Sequence, residues 1–415
     1  MNDYFKALKI TDNIYWVGAI DWQIRNFHGY NTSRGTTYNA YLVIDDKITL
    51  IDTVKKPFKD EFLSRIDSII DPADIDYVIS NHSEMDHSGL LPEIIDIAKP
   101  EKVIASNMGI KALHSHFHNL NYNIHAVKDG EVLNTGKYNI NFFETRMLHW
   151  PDSMISYLAE EQILFSNDIF GMHLASLNIF DDEIEDYILF NESAKYFANI
   201  ILPYSTFVSK AMHKLRSSNL ELKYIATDHG PIWRKHISKI LDLYEKWPLQ
   251  EPTLKAVLIY HTMWGSTEKM SDAIAEGLAS ENIDVNVMPL NVSHRSDIAT
   301  EVLDAGAIIF GTSVLNGNIF PASSDVLNYL NGLKPKNIIG FGFGSYGWSK
   351  SALDNLTTTL ANDIGIELVG ETIMSNYVPD KEILTKCYDQ GVLVGKKLKE
   401  KCNETLEMRS MRIHS

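Results

Sequence analysis

At 415 residues the chain exceeds one ordinary core, so two domains are the natural expectation. Its 45% hydrophobic and 22% charged content is that of a globular protein, and 38 Lys and Arg against 54 Asp and Glu give a net charge of −16, which argues against nucleic acid or an anionic membrane as partner. The two cysteines, Cys387 and Cys402, form no Cys-x-x-Cys pair, so this chain alone builds no thiolate zinc site, no rubredoxin-type iron site and no cysteine-held iron–sulfur cluster.

The N-terminal residues lack a continuous apolar core of a signal peptide, and no apolar run reaches the roughly eighteen residues that cross a membrane. A cytoplasmic protein is expected. Strand patterns follow at 38–44, 48–52, 76–80, 102–106, 138–148, 154–159 and 162–168, with helical periodicity at 58–70 and 185–215. A strand at 222–228 and a helix at 237–247 complete this half. Strands with scattered helices predict an αββα sandwich over 1–250. "PLQEP" (248–252), with two prolines and no apolar period, reads as a linker. Beyond it, strands at 255–260, 283–290, 307–313, 337–345 and 366–374 alternate with helix-length segments. That rhythm predicts a doubly wound parallel sheet over 254–400, followed by a tail at 401–415.

The first half holds one crowded loop. "NHSEMDHSG" (81–89) sets His82, Glu84, Asp86 and His87 within six positions, without a lysine or arginine among them. Side chains spaced this way in a tight loop can converge on two adjacent points, which no single strand or helix face allows. His149, Asp168 and His229 stand at the ends of other predicted strands. Three carboxylates and four neutral imidazoles offset most of the charge of two divalent ions, and this hard donor set without thiolate favours iron or manganese. The competing reading gives each histidine a separate structural duty. "HSHFH" (114–118) is a second histidine cluster, but it has no acid within it and reads as structural or surface.

In the second half, "YHTMWGSTEKM" (260–270) joins the first strand to a helix without the Gly-Lys-Ser/Thr of a nucleotide P-loop. Thr262, Gly265, Ser266 and Thr267 offer hydroxyls and N–H groups at a helix N-terminus, which suits a phosphate monoester. Met263 and Trp264 belong to the same loop. An ordinary turn capped by Ser and Thr is the alternative. Later strand ends carry Ser313, Val314, Leu315, Asn316, Gly317 and Asn318, then Ser345, Tyr346, Gly347 and Trp348. These offer backbone groups and aromatic faces to a planar ligand such as the isoalloxazine of FMN. Gly342-x-Gly344-x-x-Gly347 matches a dinucleotide fingerprint formally, but it follows the fourth strand rather than the first, so no NAD site is expected there.

The pattern His82-x-Glu84-x-Asp86-His87 with His149, Asp168 and His229 resembles the metallo-β-lactamase-like superfamily, with Glu84 where the hydrolases carry a second histidine. That exchange, followed by a flavodoxin-like half, resembles the flavodiiron proteins over nearly the whole chain. The resemblance implies an N-terminal metallo-β-lactamase-like domain holding two non-haem irons and a C-terminal flavodoxin-like domain holding FMN. By it His82, Glu84 and His149 bind one iron, Asp86, His87 and His229 the other, and Asp168 bridges them. In some members the histidine matching His87 faces away from the metal. His28, His173 and Tyr196 are implied near the irons, as groups that orient or protonate a bound gas. The expected reaction is four-electron reduction of O2 to water, with NO reduction to N2O as alternative and a zinc hydrolase with a regulatory flavodoxin as a remoter one. A redox partner such as rubredoxin, ferredoxin or reduced F420 is expected to supply electrons, and a head-to-tail homodimer, or a dimer of dimers, to bring each flavin to its partner's irons.

Overall fold

The computed structural model describes residues 4–120 and 122–413. The chain divides into two compact units, one of residues 1–28 and 32–245, the other of residues 29–31 and 246–415.

The first unit is built on two sheets. In the seven-stranded sheet the order is Leu8–Lys9, Ile14–Trp16, Tyr41–Val43, Thr49–Ile51, Tyr77–Ser80, Lys102–Ser106 and Ile124–Val127, antiparallel as far as Thr49–Ile51 and parallel from there. The five-stranded sheet runs Val132–Asn134, Asn139–Glu144, Met154–Leu158, Ile163–Asn167, Tyr224–Thr227, with only its last pair parallel. Alternation along the strands explains the layering. Tyr41, Val43, Ile51, Ile79 and Ile104 point into one cluster with Ile140, Phe142, Met154, Leu158 and Phe165, which fills the space between the sheets. Their neighbours Leu42, Leu50, Val78, Val103 and Ala105 point the other way, onto Phe62, Ile66, Leu91, Ile94 and Leu113 of the covering helices. Burying each of these side chains contributes ~1.5–3 kcal/mol. The expected αββα sandwich is therefore the fold of this unit.

Up to residue 252, three expectations need correction. The strand predicted at 138–148 ends at Glu144, because the next residues bond to one another: Met147 N–H donates to Trp150 O at 2.7 Å and Leu148 N–H to Thr145 O at 3.0 Å. The strand predicted at 38–44 is two strands, Thr36–Tyr38 and Tyr41–Val43. Between them Asn39 turns to the other sheet, its amide donating to Thr227 O at 2.7 Å and Gly230 O at 2.9 Å. Part of the linker 248–252 is also ordered, in the 3-10 turn Trp247–Leu249.

In the second unit the parallel strands lie in the order Asp284–Pro289, Lys255–Tyr260, Ala307–Leu315, Ile339–Tyr346, Glu367–Leu368. The second strand in sequence is at one edge and the first beside it, so the order reverses between the loops after Tyr260 and Leu315, where such sheets open a crevice. The fifth predicted strand is interrupted at 369–372 and resumes as Ile373–Asn376. The closing helix runs Lys381–Ile413, so the expected tail 401–415 begins inside it, and residues 414–415 lie outside the described residues.

Candidate metal centre and ligand cleft

Both sheets of the first unit deliver side chains to one rim. The strand Tyr77–Ser80 ends in the crowded loop, where a single helical turn, Met85–Ser88, swings Asp86 and His87 back toward His82 and Glu84. Ser88 hydroxyl pins the turn by donating to Ser83 O at 2.7 Å. The second sheet contributes His149 from the bonded turn beyond Glu144, Asp168 directly after Ile163–Asn167, and His229 just past Tyr224–Thr227.

These seven residues assemble as two groups, His82, Glu84, His149 and Asp168 in one, Asp86, His87 and His229 in the other. In the first, His82 Nε2 lies 3.4 Å from both Glu84 Oε2 and Asp168 Oδ2, and His149 Nε2 lies 3.2 Å from the same two atoms. In the second, His87 Nε2 is 3.4 Å from Asp86 Oδ1 and His229 Nε2 is 3.3 Å from Asp86 Oδ2. Asp168 Oδ1 faces this group, 3.4 Å from His87 Nε2 and 3.5 Å from His229 Nε2. Its two oxygens thus address different groups, as a bridging carboxylate does. His87 is turned inward.

The spacing fits ions. Around a metal that holds each donor at about 2.1 Å, neighbouring donor atoms lie about 3.0–3.4 Å apart. His82 Nε2, His87 Nε2, both Asp86 oxygens and Asp168 Oδ2 are buried and carry no hydrogen bond within the protein. Leaving one such atom unsatisfied costs ~1–3 kcal/mol, so five aimed at a common space call for cations there. The electrostatics agree. Burial opposes charge on all of these groups, yet the facing carboxylates lift His82, His87 and His149 above the usual imidazole range. Glu84 and Asp86 are held down to about 2 by the imidazoles against the same burial. The cluster is one that attracts positive charge.

A second layer orients these candidate ligands. Asp152 Oδ2 lies 3.1 Å from His82 Nδ1 and accepts from Ser83 N–H and hydroxyl, each at 2.7 Å. His229 Nδ1 lies 2.6 Å from Thr37 O, and Tyr196 hydroxyl donates to Asp168 Oδ1 at 2.8 Å. His173 is buried, with Nδ1 2.9 Å from Thr36 Oγ1, and burial beside His229 keeps its ring well below the usual imidazole pKa. His28 is different: its ring is largely exposed, with Nε2 3.8 Å from Glu84 Oε1. Asp152, Thr36 and Thr37 were not singled out from sequence as site residues, although Asp152 stands three positions beyond His149 and the two threonines directly precede the predicted strand 38–44. Among the described residues the metal-binding groups do not include His114, His116 or His118, and all three are exposed.

In the second unit the strand ends enclose a cleft of about 520 Å3. Met263, Trp264, Ser266, Ser313–Gly317 and Ser345–Trp348 of the predicted set line it, joined by Ser349, Tyr377 and Val378, which sequence reasoning missed. Thr262, Gly265, Thr267 and Asn318 stand outside the lining. Thr262 instead holds the loop, its hydroxyl accepting from Gly265 N–H at 3.0 Å, while Thr267 and Ser345 hydroxyls meet at 3.1 Å. Gly265 takes φ 79°, a conformation glycine adopts without cost, and the helix Ser266–Ser280 starts directly after it. Trp264 and Trp348 are 93% and 90% exposed, a mouth of aromatic surface ready to cover a planar ring.

Residues 36–230 match the model of the ODP family of beta lactamases, and residues 258–391 match the flavodoxin model. The chain is 42% identical over 389 residues to the nitric oxide reductase of Moorella thermoacetica, covering 93% of this chain and 97% of that one. It is 43% identical over 377 residues to the rubredoxin-oxygen oxidoreductase of Megalodesulfovibrio gigas, covering 90% and 94%. The crystal structure of the flavodiiron protein from Giardia intestinalis superposes with a TM-score of 0.93 at 31% identity, over 98% of this chain and all of that one.

Proposed function

The chain belongs to the flavodiiron proteins, and from that footing we propose that this oxidoreductase reduces O2 to water at the His82–His229 centre with electrons relayed by FMN. The observation that carries the reading is the carboxylate of Asp168 set between two ligand groups, beside buried donors that carry no hydrogen bond. His82, Glu84 and His149 would hold one iron, Asp86, His87 and His229 the other, and Asp168 both. When loaded, two ferrous ions and a reduced flavin store four electrons, the number that O2 + 4e⁻ + 4H⁺ → 2H2O consumes.

The protein's own groups orient and protonate. Tyr196 is fixed by its bond to Asp168 and stays protonated, because burial and that carboxylate push its pKa well up. Its one O–H is thereby committed to Asp168, and Tyr196 orients that carboxylate. His173 stays neutral, and exposed His28 reaches toward Glu84 from the solvent side. Such donors stabilise charge as it develops on a reacting gas. In the second unit the N-terminus of Ser266–Ser280 would take the flavin phosphate and the aromatic mouth its ring.

Reduction of two NO to N2O and water needs only two electrons and is the second reading, favoured by the 42% identity to a nitric oxide reductase. Rubredoxin is the preferred donor, from the name of the Megalodesulfovibrio relative, and a head-to-tail dimer the preferred assembly. The deciding experiment is steady-state turnover with one donor at matched O2 and NO concentrations. We expect O2 to be the faster substrate. An NO rate roughly tenfold higher, about 1.4 kcal/mol in barrier, overturns that order, and peroxide as the main O2 product overturns the four-electron scheme.

A further inference from the structure

The phosphate of FMN carries about two negative charges at neutral pH. Residues 260–267, 312–318 and 344–349, at the carboxyl ends of the first, third and fourth strands of the flavodoxin-like unit, hold one basic side chain among them, His261. It directly follows Lys255–Tyr260 and stays tied to the sheet, its N–H donating to Gly311 O at 3.0 Å. Its ring lies flat on Phe320, with centroids 3.5 Å apart and planes 11° from parallel. Phe320 is held in turn, because its N–H donates to the Thr312 hydroxyl at 3.3 Å, and that hydroxyl meets Ser323 Oγ at 2.9 Å. Fixed in this way, the imidazole places Nδ1 3.1 Å from Ser313 Oγ.

Ser313 links the ring to the cleft. It is buried, it lines the cleft together with Ser266 at the helix N-terminus, and its hydroxyl has no other hydrogen bond among the described residues. A hydroxyl offers one hydrogen and two lone pairs. Where Nδ1 takes that hydrogen, only lone pairs face the cleft, and an anion there is repelled. Where Nδ1–H donates instead, the hydrogen is free for the anion. Burial lowers the pKa of this imidazole, so the ring is neutral at pH 7 and one nitrogen carries its single proton.

We propose that His261 is a positioning residue for the flavin phosphate: its Nδ1–H donates to Ser313 Oγ and turns the Ser313 hydroxyl into the cleft as a donor to the phosphate. The inference rests on the FMN reading. Its test is the dissociation constants of FMN and riboflavin for the full chain freed of flavin, followed by quenching of flavin fluorescence. Riboflavin is the same ring without the phosphate. His261→Phe keeps a flat ring for Phe320 and removes the nitrogens, and is expected to weaken FMN about tenfold while leaving riboflavin unchanged. His261→Asn, whose side-chain amide restores an N–H, is expected to stay within roughly threefold of wild type for FMN. Ser313→Ala should weaken FMN as His261→Phe does, with the double variant no weaker, and it serves if His261→Phe folds poorly. Equal weakening of FMN and riboflavin, or unchanged FMN binding in His261→Phe and Ser313→Ala, overturns the proposal. A wild-type chain that bound FMN no better than riboflavin would overturn it with the FMN site standing, whereas one that bound neither would defeat the FMN reading as well.

Discussion

Asp152 touches no position where a metal would lie, yet it fixes the ring of His82 and the backbone of Ser83 together. Replacing it with Ala leaves His82 free to rotate, and such second-layer losses typically weaken metal binding about 10–100-fold. Iron retained after a chelator challenge should drop accordingly in Asp152→Ala, with flavin absorbance unchanged. Cys387 makes a contrasting case. Burial pushes its thiol up to about 12 from an ordinary 9.0, so folding disfavours the thiolate. The stability linked to this group is complete below pH 9, fades as pH rises, and is gone above about 12. At pH 8 Cys387 should resist thiol reagents in the folded protein and react once urea unfolds it. Rapid labelling without denaturant would show that the helix carrying it opens readily.

Helices Ser266–Ser280 and Lys381–Ile413 cross at glycine. A Cβ on Gly277 would meet Tyr388 O at 2.1 Å, and one on Gly391 would meet Ile274 O at 2.4 Å, so each backbone rests on the other. Gly277→Ala gains helix propensity but forces these backbones apart, and overpacking of this kind costs about 1–3 kcal/mol. A lower melting midpoint of the flavodoxin-like unit, with that of the first unit unmoved, is the expected result. At this scale the sequence was readable where one periodicity governed a whole element. The strand 255–260 is Lys255–Tyr260, and the residues that gather into the two candidate metal groups stood out because their types are rare and stand at predicted strand ends. Legibility failed where a distant partner decides the path. Nothing local signals that Asn39 will bond to Thr227 O, or that residues 145–150 will close on themselves. Tyr377 and Val378 were missed for a related reason, because they reach the cleft only after the interrupted fifth strand.

For the molecule as a whole, the proposed head-to-tail dimer places each flavin against the irons of the other copy. Mixing a His82→Ala chain with a chain unable to bind FMN should then restore activity through one of the two composite sites. A mixture no better than its inactive parents would assign electron transfer to a single chain. His82, Glu84, Asp86 and His87 come from the seven-stranded sheet, and His149, Asp168 and His229 from the other. Ions held there would clamp the two halves of the sandwich, a fastener spanning the chain from residue 82 to 229. Ligands at 100 times their dissociation constant add about 2.7 kcal/mol to whatever binds them. In calorimetry of chelated protein the metal-free sandwich should therefore melt at a lower temperature, with the flavodoxin-like unit at its former one.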